Sequence, residues 1–206
     1  MTKLTQRLAA SLETAARSLR RREQAKVLVL GGVRSGKSRH AERLMTRHPE
    51  VVYVAPGLPA GEDDPEWAAR VRLHRARRPA NWRTLETTDL STTLRKASRP
   101  LLIDCLGVWV SQVLGEVGAW DQQEGWESRL DARMEDFLAA FAEAHVPVVA
   151  VSNEVGMGVV PATFSGRLFR DVLGTLNNRV GAEVDSVQLV VAGRVLHLQE
   201  KTRSTW

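Results

Sequence analysis

Short apolar runs rich in β-branched residues recur along the chain and predict buried strands. They occupy residues 27–30, 51–55, 101–103, 146–152 and 187–192. Segments with helical periodicity separate them, at residues 36–47, 66–78, 105–117, 124–145 and 163–182. This alternation predicts an α/β fold in which helices flank a mostly parallel sheet.

The two ends of the chain add different elements to this core. Residues 1–24 carry an apolar stripe at three- and four-residue steps, which predicts an N-terminal helical extension. A transit peptide is the weaker interpretation, because Glu13 and Glu23 interrupt the basic segment. Near the other end, Gly193 and Arg194 separate the last long strand from residues 195–198 and predict a C-terminal β-hairpin. We therefore expect one catalytic domain over residues 25–206.

The charge balance favours anionic partners. Among 206 residues, 29 Lys and Arg against 24 Asp and Glu give a formal charge of +5, which suits nucleotides or nucleic acid. The single Cys105 cannot form an internal disulfide. No apolar run approaches the roughly 18 residues that a membrane-spanning helix needs, and the N-terminus lacks an apolar signal core. We expect a cytoplasmic protein without stable membrane insertion.

A complete phosphate-binding loop follows the first predicted strand. Its eight residues match the pattern G-x-x-x-x-G-K-[ST] and are Gly31, Gly32, Val33, Arg34, Ser35, Gly36, Lys37 and Ser38. Such a loop turns backbone N–H groups toward a phosphate chain, at the positive end of the next helix. Lys37 should reach the β- and γ-phosphates, and Ser38 should ligate Mg²⁺. The alternative, a glycine-rich turn, leaves Lys37 without a role.

A second candidate metal ligand ends another predicted strand. Asp104 directly follows the apolar run 101–103. P-loop proteins commonly use a carboxylate at the tip of a neighbouring strand to hold Mg²⁺, directly or through water. The alternative role for Asp104 is that of a turn former.

One histidine lies within a run of arginines. Between Trp67 and Arg83 the chain contains no acidic residue and carries Arg70, Arg72, Arg75, Arg77, Arg78 and Arg83. On a helix, His74 would neighbour several of them. The surrounding cations would keep its imidazole neutral, so that it could attack a phosphorus atom. A solvated basic helix face and a nucleic-acid patch are the alternatives, and the second is weakened by the lack of interleaved aromatic residues.

Three segments together resemble one enzyme family. They are GGVRSGKSRHAE at 31–42, HRARRPANWRTLE at 74–86 and NEVGMGVVP at 153–161. Together with residues 169–171 and 176–177, they resemble the bifunctional adenosylcobinamide kinase/adenosylcobinamide-phosphate guanylyltransferase family of cobalamin biosynthesis. The likeness covers roughly residues 26–199 and implies a P-loop NTPase-like fold.

The resemblance implies two uses of nucleotide. A kinase step moves the γ-phosphoryl group of ATP or GTP to the aminopropanol hydroxyl of adenosylcobinamide. A guanylyltransferase step carries GMP from GTP through a histidine to adenosylcobinamide phosphate, forming adenosylcobinamide-GDP. The family histidine corresponds to His74. Homo-oligomers, specifically trimers, are also implied, whereas residues 1–24 have no counterpart in the family pattern.

Further site residues follow from the same resemblance. Residues 31–38 match the family's nucleotide phosphate loop, and Glu86 and Asp104 match acidic positions that contact nucleotide or metal. The positions beside the guanylylated histidine correspond to Arg75, Ala76, Arg77 and Arg78. The positions after the second strand, where the family contacts nucleotide, are Ala55, Pro56 and Gly57, which depart from its small polar pattern. The competing hypotheses are a P-loop kinase without the guanylyl step and a nucleotide-dependent nucleic-acid-binding module.

Overall fold

The computed structural model describes residues 25–57, 72, 75 and 77–198, and these contain seven strands and five helices. The strands are β1 (Lys26–Gly31), β2 (Val52–Ala55), β3 (Arg83–Glu86), β4 (Leu101–Asp104), β5 (Val148–Asn153), β6 (Ser186–Val191) and β7 (Arg194–Leu198). The helices are α1 (Lys37–Met45), α2 (Leu90–Arg95), α3 (Leu106–Glu116), α4 (Trp126–Glu143) and α5 (Phe164–Glu183).

The strands form one sheet in the order β3-β2-β4-β5-β1-β6-β7. The first six are parallel, and β7 pairs antiparallel with β6. All six parallel strands therefore end at the same edge of the sheet. That edge is where open α/β sheets bind their ligands.

Helices cover both faces of the sheet, so alternate strand residues enter two different cores. In β1, Leu28 belongs to the larger core beneath α3, α4 and α5, whereas Val27 and Val29 belong to the smaller core beneath α1. The larger core is anchored by Trp109 and Phe137, whose ring centroids lie 4.6 Å apart. Burial on both faces explains why these strands are continuous apolar runs. The predicted mostly parallel sheet flanked by helices is confirmed.

Two short elements were not predicted from the sequence. Strand β3 contains only Arg83, Thr84, Leu85 and Glu86 at the sheet edge, and it lacks an apolar run. Helix α2 has six residues, too few to show helical periodicity, and it begins after the capping residue Asp89. Both lie between residues 78 and 101, where the sequence predicted no element.

The C-terminal hairpin is confirmed, with its turn one residue earlier than predicted. Strand β7 already begins at Arg194, so the turn consists of Ala192 and Gly193. Both have positive φ angles, 49° and 74°, as a tight two-residue hairpin turn requires. The predicted extension over residues 1–24 and most of the predicted helix over 66–78 lie outside the described residues.

Candidate nucleotide-binding site

The phosphate-binding loop joins β1 to α1 through a close backbone approach. Strand β1 ends at Gly31, where a Cβ atom would lie 2.5 Å from Ser35 Oγ and 2.6 Å from the carbonyl oxygen of Val190. Gly36 takes a positive φ of 97° immediately before α1. Lys37 opens that helix, and its Nζ donates a hydrogen bond to Gly32 O at 3.1 Å. The lysine thus folds back over the loop, where a phosphate chain would bind.

The β6–β7 turn is hydrogen-bonded to this loop. Gly193 N donates a hydrogen bond of 2.8 Å to Ser35 O. Nearby, His40 Nε2 on α1 and Gln188 Oε1 on β6 lie 2.6 Å apart. The Ser35 hydroxyl is buried and makes no hydrogen bond within the described part of the chain. An unsatisfied hydroxyl inside a phosphate-binding loop is consistent with a ligand completing its hydrogen bonding.

Tyr53 holds the candidate metal ligand Asp104. The Tyr53 hydroxyl donates a 2.7 Å hydrogen bond to Asp104 Oδ2 across the neighbouring strands β2 and β4. Burial raises the pKa of the Tyr53 phenol, and the Asp104 charge raises it further, so the phenol remains a protonated donor. The hydrogen bond fixes one carboxylate oxygen of Asp104 at the end of β4.

Arg78 packs over the ring of Tyr53, next to Asp104. Its guanidinium carbon lies 3.4 Å from the Tyr53 ring centroid, and its Nη1 donates to Thr84 Oγ1 at 2.8 Å. The Nε atom of Arg78 is buried and unpartnered among the described residues. Stacking on the ring therefore places this cation beside the Tyr53–Asp104 pair.

Two other arginines of the segment pair with carboxylates at the site. Arg75 forms an ion pair with Glu86 at the end of β3. Arg77 Nη2 lies 3.1 Å from Glu42 Oε1, which is largely buried on α1. These pairs tie Arg75 to the sheet edge and Arg77 to the helix of the phosphate-binding loop.

Most residues predicted from the sequence converge on one cleft of about 1150 Å³. Its predicted lining residues are Val33, Arg34, Ser35, Gly36, Lys37, Ser38, Ala55, Gly57, Arg75, Arg77, Arg78, Glu86 and Asp104. They meet because Gly31, Ala55, Glu86 and Asp104 each end a parallel strand at one edge. The predicted Gly31, Gly32 and Pro56 are neighbours of lining residues in the sequence but are not themselves among the residues that line the cleft. His74 and Ala76 lie outside the described residues.

The cleft also has a far wall that the sequence revealed only in part. This far wall consists of Gly107, Val108, Ser111, Gln112, Trp120, Asn153, Val155, Ser165, Gly166 and Phe169. Asn153 and Val155 belong to the motif at 153–161, which pointed to this region without assigning roles. The α3 residues gave no signal, because isolated small and polar positions on a helix are ordinary. Tyr53 was also missed, although a hydroxyl in an otherwise apolar strand marks a residue that needs a partner.

Cys105 lies between Asp104 and the far wall but is not poised as a nucleophile. Burial, reinforced by the Asp104 charge, raises the pKa of its thiol to about 11. Its Sγ lies 3.5 Å from Asn153 Oδ1, to which the thiol donates. The thiol is therefore protonated at neutral pH, and the thiolate form that attacks phosphorus or carbon is scarce.

The oxygen donors at the cleft fit a magnesium ion that is shared with a phosphate chain. Ser38 and Asp104 both line the cleft. The described residues include no group of three or more His, Cys, Asp or Glu side chains that could hold a metal by themselves. Mg²⁺ in nucleotide sites is held by one or two protein oxygens, by phosphate oxygens and by water, so this donor set matches it.

A parallel sheet with a lysine-bearing glycine loop after its first strand, facing a carboxylate on a nearby strand, defines a P-loop nucleotide-binding protein. The family described as cobinamide kinase / cobinamide phosphate guanyltransferase matches residues 27–198. The chain belongs to this family and is a bifunctional kinase and guanylyltransferase of cobalamin biosynthesis.

Curated relatives agree with this assignment. The bifunctional adenosylcobalamin biosynthesis protein CobU of Salmonella typhimurium is 40% identical over 176 residues, 81% of this chain and 96% of that protein. The protein of the same name from Escherichia coli is 38% identical over 177 residues, again 81% and 96% of the two chains. Pseudomonas aeruginosa CobP is 40% identical over 84% of this chain and 96% of its own length. The resemblance noted in the sequence is confirmed.

Among the described residues, none of the helices combines the length and apolar character needed to traverse a lipid bilayer.

Proposed function

We propose that one cleft serves both reactions, with Lys37 acting on the triphosphate and His74 carrying GMP. The observation that supports this most directly is that the phosphate-binding loop, Asp104 and the arginines beside position 74 line the same cavity. The proposed substrates are ATP or GTP, adenosylcobinamide and adenosylcobinamide phosphate.

In the kinase step, the acceptor hydroxyl oxygen attacks the γ-phosphorus, the hydroxyl proton is released to solvent, and the bond between the γ-phosphorus and the β-phosphate oxygen breaks. The loop N–H groups and Lys37 bind the phosphate oxygens and stabilise the charge that moves onto the leaving diphosphate. Ser38 and Asp104 would hold Mg²⁺, which supplies further charge neutralisation when bound. The Tyr53 hydroxyl keeps Asp104 oriented toward the cleft.

In the guanylyl step, an imidazole nitrogen of His74 attacks the α-phosphorus of GTP, and pyrophosphate leaves. A phosphate oxygen of adenosylcobinamide phosphate then attacks the same phosphorus, the N–P bond breaks and His74 is regenerated. His74 directly precedes Arg75 in the sequence, and Arg75 lines the cleft. Arg78, which lines the cleft, would neutralise the phosphate under attack, as guanidinium groups do in phosphate sites.

Nucleic acid is not a proposed partner. Arg75 and Arg77 pair with Glu86 and Glu42, so part of the basic run is neutralised internally instead of forming a free patch. We further propose a cytoplasmic homo-oligomer, a trimer, on the strength of the family resemblance.

The test of the covalent step is labelling with GTP that carries radioactive phosphorus at the α-position. Incubation with Mg²⁺ should leave acid-labile, alkali-stable GMP on the wild-type protein and none on His74→Ala. The same variant should still phosphorylate adenosylcobinamide, because that transfer needs no protein nucleophile.

His145→Ala provides the matched control, since it removes an exposed histidine outside the cleft. It should label like the wild type. If His74→Ala were labelled as strongly as the wild type, the nucleophile would be another residue. If the wild type were not labelled, the protein would be a kinase that lacks the guanylyl step.

A further inference from the structure

The loop between β5 and α5 presents apolar side chains to solvent. Met157 is 79% exposed, Val159 95% and Val160 61%, and Phe164 at the start of α5 is partly exposed as well. Four such side chains within eight positions form a concentrated apolar surface. Contiguous surfaces of this kind on soluble proteins mark places where something binds.

Hydrogen bonds hold the backbone of this loop. Arg170 Nη2 donates to Gly156 O at 3.2 Å, and Arg167 Nη1 donates to Ala162 O at 2.7 Å. Gly156 N donates to Glu154 Oε1 at 2.6 Å. Three backbone polar groups of the loop are thus satisfied by its own carboxylate and by α5, while its apolar side chains are exposed. A preformed apolar surface loses little conformational entropy on binding a ligand.

Both ends of the loop enter the cleft. Val155 precedes the exposed residues and lines the far wall, and Ser165 and Gly166 follow them and line it too. The loop that carries the apolar side chains therefore borders the far wall at both of its ends. The cleft, at about 1150 Å³, exceeds the roughly 300–1,000 Å³ of an ordinary ligand pocket, which leaves room for a second ligand beside a nucleotide.

The two sides of the cleft differ in chemistry. The phosphate side carries Lys37, Asp104 and several arginines, whereas none of the described far-wall residues is charged. Ser111, Gln112 and Asn153 offer neutral donors and acceptors, and Trp120 and Phe169 offer aromatic surface. Neutral polar groups beside aromatic rings suit a large uncharged ligand with carboxamide groups better than they suit a phosphate.

We propose that the far wall and the β5–α5 loop form the corrinoid site used by both reactions. Met157, Val159 and Val160 cover an apolar face of the macrocycle, and Ser111, Gln112 and Asn153 bind its carboxamides. The hydroxyl-bearing arm then enters the cleft toward the phosphate-binding loop. This assignment rests on the proposed function, since it names where that function's acceptor lies.

The test compares Met157→Ser and Val159→Ser with the wild type. With saturating triphosphate, each variant should raise the KM for adenosylcobinamide by about fivefold to tenfold, as the loss of one partly buried apolar contact predicts. The KM for the triphosphate and the GMP labelling without corrinoid should not change. Equilibrium dialysis with cobinamide alone should show the same weakening of binding.

Leu196→Ser is the matched control, because Leu196 is 56% exposed on β7 and does not line the cleft. It should retain the wild-type KM for corrinoid. Unchanged corrinoid KM and binding in both loop variants would overturn the proposal. A change of oligomeric mass on Val159→Ser, measured by light scattering, would also overturn it, because the loop would then contact a second copy.

A wild-type protein that neither phosphorylates the corrinoid nor accepts GMP would instead contradict the proposed function. If only the proposed location of the corrinoid site is wrong, the wild-type protein still has both activities. The two failures are therefore distinguishable.

Discussion

The first two glycines of the phosphate-binding loop have different physical roles. A side chain on Gly31 would collide with Ser35 Oγ and with the backbone carbonyl of Val190, whereas a Cβ on Gly32 would meet nothing within 4 Å. The motif pattern demands only Gly31 of this pair, and the packing against β6 gives the reason. Because position 31 carries no side chain, the loop can turn at the end of β1 while its backbone packs closely against β6.

We expect Gly31→Ala to destabilise the protein by about 1–3 kcal/mol, because the backbone must shift to relieve the overlap. Gly32→Ala should leave the free energy of unfolding almost unchanged. Urea unfolding of both variants without nucleotide measures the difference. Equal stabilities would mean that the loop relaxes freely around the added methyl group.

Among the secondary-structure elements, α2 depends on a single capping residue. Asp89 Oδ1 accepts a hydrogen bond of 3.0 Å from Thr92 N, and the buried Leu90 and Leu94 then pack into the larger core. Six residues are too few for a helix to be stable by itself. The cap and the core contacts must therefore form together.

Asp89→Ala should lower the free energy of unfolding by about 1 kcal/mol at pH 7, whereas Asp89→Asn should keep most of it, since an amide oxygen also caps. Hydrogen bonding from Thr92 lowers the pKa of Asp89 below its ordinary value. The charged cap's contribution is thus complete above the unfolded pKa of about 3.9 and is lost as pH falls through the lower folded value.

Urea titrations of the wild type and Asp89→Ala across this acidic range would show their stability difference shrinking. A difference that grows toward low pH would contradict the capping role.

On the scale of the whole molecule, the cleft draws on elements from β1 to the β6–β7 turn. Lys37, Asp104, Asn153 and Gly193 are far apart in sequence and line one cavity. A ligand that contacts all of these elements binds only the folded chain. Its binding free energy therefore adds to the stability of the whole domain.

A non-hydrolysable GTP analogue with Mg²⁺, at about 100 times its Kd, should raise the free energy of unfolding by about 2.7 kcal/mol. Lys37→Ala should lose most of this gain, because the phosphates lose their point charge. The exposed Lys96→Ala serves as the control and should keep it. Differential scanning calorimetry measures the shift, and an undiminished gain in Lys37→Ala would contradict the role of the phosphate-binding loop.

The sequence alone determined the α/β class, the phosphate-binding loop and the family, because each depends on local patterns. Apolar runs buried on both faces are visible without neighbours, and the loop's chemistry lies within eight consecutive residues. Strand β3 and helix α2 were missed for the converse reason. Each is short, and contacts with β2 and with the larger core stabilise it.

Only the tertiary structure decided which side chains meet. Parallel pairing of β2 with β4 brings Tyr53 to Asp104, and the fold of the segment before β3 stacks Arg78 on the same ring. The far wall combines α3, the end of β5 and the start of α5, three elements that no local pattern relates. Sheet order and helix packing are long-range properties, and the far side of the site follows from them.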